Sequence, residues 1–418
     1  MYHEIRTHFS RIPLRILYKN LCIFILSLPI VTLIFVLLYS PQESFRSYVY
    51  SIGSSENLRN SLRTIHALEN PIESAKKEQS NNFTIHVWRH GERMKRRFLR
   101  SYGKVSKDPF EFCSVSNCVL STNDSIVNNS DAVLFHLHQT KGPHTLPSEH
   151  PDHQIWIFFT DESPLHTFYA SRKYSMKDYN GLFNWSMTYR SDSDIPVPYG
   201  RTVPLSDTEK EQFKPKNHAA VKSRGIAILG SNCGGQNHRW DYVHELQNYI
   251  SVDIYGGCGT HKCPGHFMKD CPIISDYKFY LAFENSNCRE YITEKLWWNA
   301  YHKEAVPVVM GAPKEDYLKL CPPKSFIHTD DFKSPADLAK YLEFLMEDDE
   351  AYNSYFEWQQ EFKVVNEHGY FGSPSLHLCR ICEALNYKRS NLPKIYDNLD
   401  SFWNPKTDCF KASWKPAN

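Results

Sequence analysis

Residues 279–313 read FYLAFENSNCREYITEKLWWNAYHKEAVPVVMGAP and carry the clearest fold signal in the sequence. An apolar run, FYLAFE, leads into a polar turn, then into the helical pattern TEKLWWNAY and a second apolar run, AVPVVM. This order predicts a strand, a helix and a second strand, which is the repeating unit of a parallel sheet with flanking helices. The segment therefore predicts an α/β fold.

The same alternation extends toward the N-terminus. GIAILG at 225–230 and VDIY at 252–255 read as strands, and Trp240, Val243, Leu246 and Ile250 recur between them at helical spacing. Earlier apolar runs predict three further buried strands, namely IHVW (85–88), AVLFHLH (132–138) and IWIFFT (155–160). Because the pattern is lost between residues 193 and 215, we expect two α/β lobes with a cleft between them. Ligands of such sheets bind at the carboxyl ends of the strands.

An uncharged segment near the N-terminus predicts a membrane anchor. Residues 21–39 read LCIFILSLPIVTLIFVLLY, which is long enough to cross a hydrocarbon core of about 30 Å. Basic residues precede it in residues 1–20, so these residues should form a cytosolic tail and the C-terminal bulk should lie in the lumen. A cleaved signal peptide is disfavoured, because no A-x-A-like site follows. The polar residues 40–81 read as a stem.

Composition agrees with a lumenal protein. The formal net charge is +1, which argues against a nucleic-acid partner, since such binders carry a clustered basic excess. Eleven of the 12 cysteines follow the apolar segment, so at least one should stay unpaired if the others form disulfides. Four glycosylation sequons also follow it, at Asn82, Asn123, Asn128 and Asn184.

Residues 279–313 also carry a candidate binding site. Its first strand ends at Glu284 and Asn285, and Thr293 is the predicted N-cap of the following helix. A helix N-terminus presents free N–H groups and a positive dipole end, which suit a diphosphate. Lys295 would add a positive charge there, and Glu294 could accept hydrogen bonds from sugar hydroxyls. The alternative is an ordinary exposed ion pair between Glu294 and Lys295.

Two further strand ends carry charged residues. Arg239 follows the turn after GIAILG, where its guanidinium could bind phosphate oxygens. Glu162 follows IWIFFT in the first lobe, where a carboxylate could take a proton from an acceptor hydroxyl, although the DESP sequence could also be a simple turn. The cysteines and histidines between 258 and 271 lack standard zinc spacing, so we expect disulfides and no required metal.

These residues resemble a known family, the α1,3-fucosyltransferases of glycosyltransferase family 10. The resemblance is carried by residues 279–313 and by DESP (161–164), NWSMTYRSDSDIPVPYG (184–200), SNCGGQNHR (231–239), FIHTDDFKSPADLAKYL (326–342) and the C-x-x-C at 379–382. It implies the GT-B arrangement of two Rossmann-like lobes, GDP-β-L-fucose as donor, inversion at the sugar carbon and a Golgi membrane protein of type II. It also implies that Cys379 and Cys382 bridge back to Cys113 and Cys118.

The resemblance assigns a role to each candidate residue. Glu162 is similar in position to the general base, and Arg239 and Lys295 to the pair that neutralises the departing diphosphate. Asn285, Tyr291 and Glu294 are similar to further donor contacts. No cofactor is required, and a divalent metal would at most stimulate the reaction.

The family pattern also implies a domain layout and an acceptor. Residues 82–215 would form the acceptor-binding lobe, 216–366 the GDP-fucose-binding lobe, and 367–418 a tail that packs back on the first lobe. The expected acceptor is O3 of GlcNAc in a glycoprotein glycan. The N-glycan core, protein serine or threonine, and an inactive sugar-binding homologue remain as alternatives. The insertion with Cys258, Cys263 and Cys271 resembles invertebrate members.

Overall fold

The computed structural model describes residues 82–91, 94, 108–110, 113–263, 270–371, 373, 375–387 and 394–416. The predicted cytosolic tail, membrane anchor and stem all lie outside these described residues. Within the described part of the chain, no helix combines the length and the apolar character needed to cross a bilayer. All of the described residues belong to one compact unit, Ser61–Asn418.

The first lobe is built on a six-stranded parallel sheet in the order β2-β1-β3-β4-β5-β6. Its strands are β1 (Phe83–Val87), β2 (Cys118–Ser121), β3 (Ala132–His136), β4 (Ile155–Thr160), β5 (Trp185–Thr188) and β6 (Ile195–Pro196). The central strand β3 is buried along its whole length, and β4 is buried at every residue but its first. Burial on both faces explains why these strands are continuous apolar runs in the sequence.

The second lobe contains a five-stranded sheet, also parallel, in the order β12-β11-β10-β8-β9. Its strands are β8 (Arg224–Leu229), β9 (Val252–Tyr255), β10 (Tyr277–Phe283), β11 (Val306–Met310) and β12 (Ile327–His328). A separate antiparallel pair joins β7 (Gly200–Pro204) to β13 (Phe362–Asn366). The two parallel sheets confirm the predicted α/β class and the two-lobed arrangement.

Most of the described helices are short, and Pro335–Glu347 and His377–Tyr387 are the exceptions. They are α1 (Asp207–Gln212), α2 (His218–Val221), α3 (Arg239–Leu246), α4 (Glu294–Trp297), α5 (Lys314–Leu320), α6 (Pro335–Glu347), α7 (Asp349–Asn353), α8 (His377–Tyr387) and α9 (Pro405–Asp408). Segments of 3₁₀-helix occur at Asp124–Asn129, Leu137–Gln139, Pro143–Thr145, Met176–Tyr179, Pro272–Asp276, Tyr301–Lys303, Thr329–Asp331, Ser354–Gln360 and Leu399–Ser401. The longest helix, α6, begins after Ser334, whose side chain caps it by accepting the Asp337 amide N–H.

The helix predicted over TEKLWWNAY is shorter than expected. Regular α-helix ends at Trp297, and a 3₁₀ turn follows at Tyr301–Lys303. The Asn299 amide N–H bonds the carbonyl of Glu294, five residues back, and the Asn299 side chain donates to the buried Tyr280 hydroxyl at 3.1 Å. This tertiary contact widens the turn, which explains why the helical pattern in the sequence continues beyond the helix.

Disulfides connect distant parts of the chain. Cys113 pairs with Cys379 and Cys118 with Cys382, which is the pairing that the family resemblance implied. Helix α8, which carries both of the later cysteines, packs Leu378 and Ile381 into the core of the first lobe. The other disulfides are Cys233–Cys258, Cys263–Cys271 and Cys288–Cys409. Cys321 is a buried free thiol, in agreement with the odd count of cysteines beyond the apolar segment.

Candidate active site

A cleft of ≈ 370 Å³ opens between the two lobes at the carboxyl ends of their strands. The segments that follow β4, β8 and β10 all contribute to its walls. All six predicted site residues line this cleft, although they are spread over more than a hundred positions of the chain. They are Glu162, Arg239, Asn285, Tyr291, Glu294 and Lys295.

Lys295 occupies the centre of a charged network on the second lobe. Its ammonium donates to Glu284 Oε2 at 2.9 Å, to Thr293 Oγ1 at 2.8 Å and to Glu294 Oε1 at 3.3 Å. The side chains of Lys295 and Glu294 are only 17% and 14% exposed. The alternative of an ordinary exposed ion pair is therefore wrong.

The electrostatics of this network keep Lys295 charged. Burial alone would lower the pKa of Lys295, but the carboxylates of Glu284 and Glu294 outweigh it and hold the pKa above its ordinary value. Burial raises the pKa of Glu284, and the charge of Lys295 opposes that rise. The cleft therefore contains a permanent positive charge that is partly shielded from water, where charge interactions are strong.

Arg239 is the first residue of α3 and organises the turn that precedes it. Its guanidinium donates to the backbone carbonyls of Gly234 at 3.1 Å, Phe283 at 3.1 Å and Asn232 at 2.6 Å. These bonds tie the turn after β8 to the end of β10. Arginine has five N–H donors, so these three bonds leave donor capacity for an anion in the cleft.

Glu162 lies on the opposite wall, at the carboxyl end of β4. It accepts a hydrogen bond at 3.2 Å from the hydroxyl of Tyr291, which belongs to the second lobe. Burial, and after it the charge of Asp161, raises the pKa of Glu162, while His138, Lys295 and Tyr291 oppose the rise. A carboxylate with a raised pKa is a stronger base than an exposed glutamate, as proton abstraction requires.

Residues behind Glu162 fix its position. The hydroxyls of Ser163 and Ser286 form a buried hydrogen bond of 2.8 Å between the two lobes. Asp161 is 4% exposed, and its carboxylate oxygens lie 3.6 Å from His136 and 3.4 Å from His368. The turn carrying Glu162 is thus anchored through both of its neighbours, Asp161 and Ser163.

Sequence reasoning gave no role to several of these residues. Glu284 appeared only as the end of a strand, yet it is fully buried and holds Lys295. The available signal was an acidic residue directly after an apolar run, at a position where burial is expected. The contacts of His368 with Asp161 left no such signal, because the two residues are 207 positions apart.

The described residues do not bring potential metal ligands together. No group of three or more histidine, cysteine, aspartate or glutamate side chains there is arranged to hold a metal ion. Cys258 bonds Cys233, and Cys263 bonds Cys271, so these sulfurs are not available as thiolates. The preference for disulfides over zinc in this insertion is confirmed for these cysteines.

Comparison with known proteins now gives the family. A model described as glycosyltransferase family 10 (fucosyltransferase), C-terminal, matches residues 219–403, and one described as fucosyltransferase, N-terminal, matches residues 80–200. Together they cover most of the chain and both walls of the cleft. The chain belongs to glycosyltransferase family 10.

Two curated relatives illustrate the similarity of this family 10 chain to its homologues. A Drosophila melanogaster protein, glycoprotein 3-alpha-L-fucosyltransferase A, is 38% identical over 72% of this chain and 58% of its own length. The rat alpha-(1,3)-fucosyltransferase 7 is 35% identical over 73% of this chain and 77% of its own. A crystal structure of an alpha1,3-fucosyltransferase with GDP-fucose aligns with 79% of this chain and 97% of its own at 18% identity, with a TM-score of 0.47.

Proposed function

We propose that this family 10 protein transfers L-fucose from GDP-β-L-fucose to O3 of GlcNAc in a glycoprotein glycan, giving an α1,3-linkage with inversion. One observation carries the proposal. One cleft is lined both by Glu162, a first-lobe carboxylate with a raised pKa, and by Lys295, a buried second-lobe cation. Displacement at a sugar carbon needs a base on one side and charge neutralisation on the other.

The proposed step assigns a task to each wall. Glu162 takes the proton from the acceptor hydroxyl as its oxygen bonds to the anomeric carbon of fucose. The bond from that carbon to the diphosphate oxygen breaks, and Lys295 with Arg239 stabilises the negative charge left on GDP. Asn285, Tyr291 and Glu294 would contact the donor, and their presence on the cleft wall supports these roles.

The α1,3-linkage is supported by the names of the relatives, which all specify transfer to a 3-position. Those names differ on the acceptor. The Drosophila protein is named for glycoproteins, whereas a human relative is named for 4-galactosyl-N-acetylglucosaminide. We propose GlcNAc in a glycoprotein glycan as the acceptor. The N-glycan core and protein serine or threonine are the alternative acceptors that the experiment must distinguish from it.

We also propose a Golgi location, with residues 21–39 as a single membrane anchor and the catalytic lobes in the lumen. The uncharged segment, the basic residues before it and the sequons after it support this orientation. Five disulfides in the described residues add support, since such bonds persist in oxidising compartments.

The test is to incubate the full chain with GDP-fucose and a panel of acceptors. The panel contains an N-acetyllactosamine, an N-glycan core and a serine- or threonine-containing peptide, and the product linkage is read by NMR. Fucose on O3 of an antenna GlcNAc is expected, and chelation with EDTA should leave transfer largely intact. If the chain transferred a sugar only from another nucleotide sugar, the donor assignment would be overturned. If EDTA abolished all activity, the prediction that no metal is required would be overturned.

A further inference from the structure

Glu284 is a buried charge that does not itself reach the cleft. The residue is 0% exposed at the end of β10 and is absent from the cleft walls. Its carboxylate accepts the Thr293 amide N–H at 2.7 Å, the Thr293 hydroxyl at 2.8 and 2.9 Å, and the Lys295 ammonium at 2.9 Å. A buried carboxylate is costly unless it is bonded and paired in this way.

The Lys295 ammonium has three donors, and each points to a different oxygen. The contacts with Glu284 and Thr293 are short and lie on the buried side, at 2.9 and 2.8 Å. The contact with Glu294 is longer, at 3.3 Å, and Glu294 lines the cleft. Since lysine has a flexible stem, these partners and not the side chain itself set where its charge is held.

The backbone leaves Glu284 little freedom to move. Gly311, which follows β11, has a φ of +152°, and a Cβ built there would lie 2.7 Å from the Cβ of Glu284. A side chain at position 311 would displace Glu284. The close approach of this glycine therefore fixes the carboxylate against the turn that carries Thr293 and Lys295.

We propose that Glu284, with Thr293, is a positioning residue that holds the Lys295 ammonium at the leaving-group end of the cleft, and that a bound diphosphate replaces only the Glu294 contact. This inference rests on the proposed function. It assigns Glu294 two successive partners: Lys295 when the site is empty, and a hydroxyl of the donor once the lysine bonds to phosphate.

The proposal predicts a specific dependence on pH. The charged or titratable groups that act on Lys295 are Glu284, Glu294, Arg239, Glu162 and Tyr280. In Glu284→Gln, burial and the charge of Arg239 still lower the pKa of Lys295, but the main opposing charge is gone. The ammonium should then lose its proton as pH rises into the alkaline range, where the unmodified enzyme keeps it.

The experiment measures kcat and KM for GDP-fucose in Glu284→Gln across neutral and alkaline pH. We expect kcat/KM for the donor to fall on the order of tenfold at neutral pH, with the alkaline limb displaced to lower pH. The matched control is Glu383→Gln, because Glu383 is equally buried and paired with Arg380 but lies away from the cleft. It should lose stability and keep the wild-type alkaline limb.

Two further variants keep the proposal falsifiable if Glu284→Gln fails to fold. Glu284→Asp retains the charge but draws it back by one methylene, so it should lower kcat/KM and leave the alkaline limb near its wild-type pH. In a Lys295→Arg background, Glu284→Gln should produce no alkaline shift, because arginine does not lose its proton. Wild-type kinetics in Glu284→Asp, or an unshifted limb in Glu284→Gln, would overturn the positioning role.

Failure of the proposed function would look different. In that case the unmodified chain would neither bind GDP in a calorimeter nor transfer fucose from GDP-fucose, before any variant is compared. If the unmodified chain transferred fucose and Glu284→Gln had the same kinetics at every pH, the positioning role would be overturned. The proposed function would not be affected.

Discussion

The two walls of the cleft are built in different ways. On the second lobe, Lys295 and Arg239 are each held by three hydrogen bonds from the protein itself. On the first lobe, Glu162 receives a single side-chain hydrogen bond, from Tyr291, within the described residues. The second-lobe wall, called the donor wall for its proposed role, is thus organised by the protein itself, whereas Glu162, the proposed base, is left with acceptor capacity for a hydroxyl.

This difference fits the two tasks. Charge that develops on a leaving diphosphate is best stabilised by groups already in place, because they need not reorganise during the reaction. A general base must instead keep a free lone pair for the proton it removes. Substitutions on each wall test this contrast.

Replacing the base should separate chemistry from donor binding. Glu162→Gln keeps the shape of the side chain but removes its basicity, so kcat should fall on the order of 10³-fold. GDP affinity, measured by calorimetry, should change by less than about threefold. Glu149→Gln, which alters an exposed carboxylate of the same lobe, is the control. Retained turnover in Glu162→Gln would remove the distinction between the walls.

Removing the cation should affect both binding and chemistry. Lys295→Ala deletes a charge that, in the proposed step, acts on the donor in the ground state and on the leaving group in the transition state. We expect kcat/KM for GDP-fucose to fall on the order of 10²-fold, with both kcat and KM altered. Lys303→Ala is the matched control, because Lys303 is also buried and paired, with Asp270, but lies outside the cleft. If Lys295→Ala had the same kcat and KM as the unmodified protein, the role proposed for Lys295 would be contradicted.

A subtler change tests whether the donor wall depends on geometry as well as charge. Arg239→Lys keeps the positive charge but cannot reproduce three fixed bonds to the carbonyls of Asn232, Gly234 and Phe283. The donor KM should rise about tenfold while acceptor KM stays constant. The same change at Arg380, a buried arginine in the first lobe's ion pairs, controls for loss of stability. If Arg239→Lys and the unmodified protein had equal donor KM values, the positive charge at position 239 alone would be sufficient for donor binding.

The smallest effect concerns the bond between the walls. Tyr291 lowers the pKa of Glu162 through its hydroxyl, so Tyr291→Phe should raise that pKa further. Because Glu162 must be ionised to act as a base, the acid limb of kcat/KM should move to higher pH. We expect only a few-fold loss at neutral pH, about what one modest hydrogen bond is worth. Tyr189→Phe is the control, since its buried hydroxyl makes no bond to Glu162. An acid limb that coincides with wild type would contradict the coupling.

The contrast also explains what could be predicted from the sequence. The strand ends carrying Glu162, Arg239 and Asn285 were predicted because apolar runs and polar turns are local patterns. The family resemblance then named the donor contacts, which cluster within a short segment. The structure places all of these predicted residues in one cleft. Their catalytic roles remain predictions.

Long-range partners were beyond sequence reasoning. The pairing of Glu284 with Lys295 spans 11 residues, and the contact of Tyr291 with Glu162 spans 129. The first contact depends on how the segment after β10 folds back within the second lobe, and the second depends on how the two lobes meet. No local periodicity encodes either of them. The end of helix α4 likewise involves a tertiary contact, the bond between Asn299 and Tyr280, which the helical pattern of the sequence does not encode.

The disulfides that return from the C-terminal region determine when the protein can mature. Cys113 and Cys118 must wait for Cys379 and Cys382, more than 260 residues later, and Cys288 waits for Cys409. During synthesis, the first lobe therefore carries reduced thiols until nearly the whole chain has been made. A premature stop before residue 379 would leave every residue of the cleft encoded, yet Cys113, Cys118 and Cys288 would lack their partners in addition to the free Cys321.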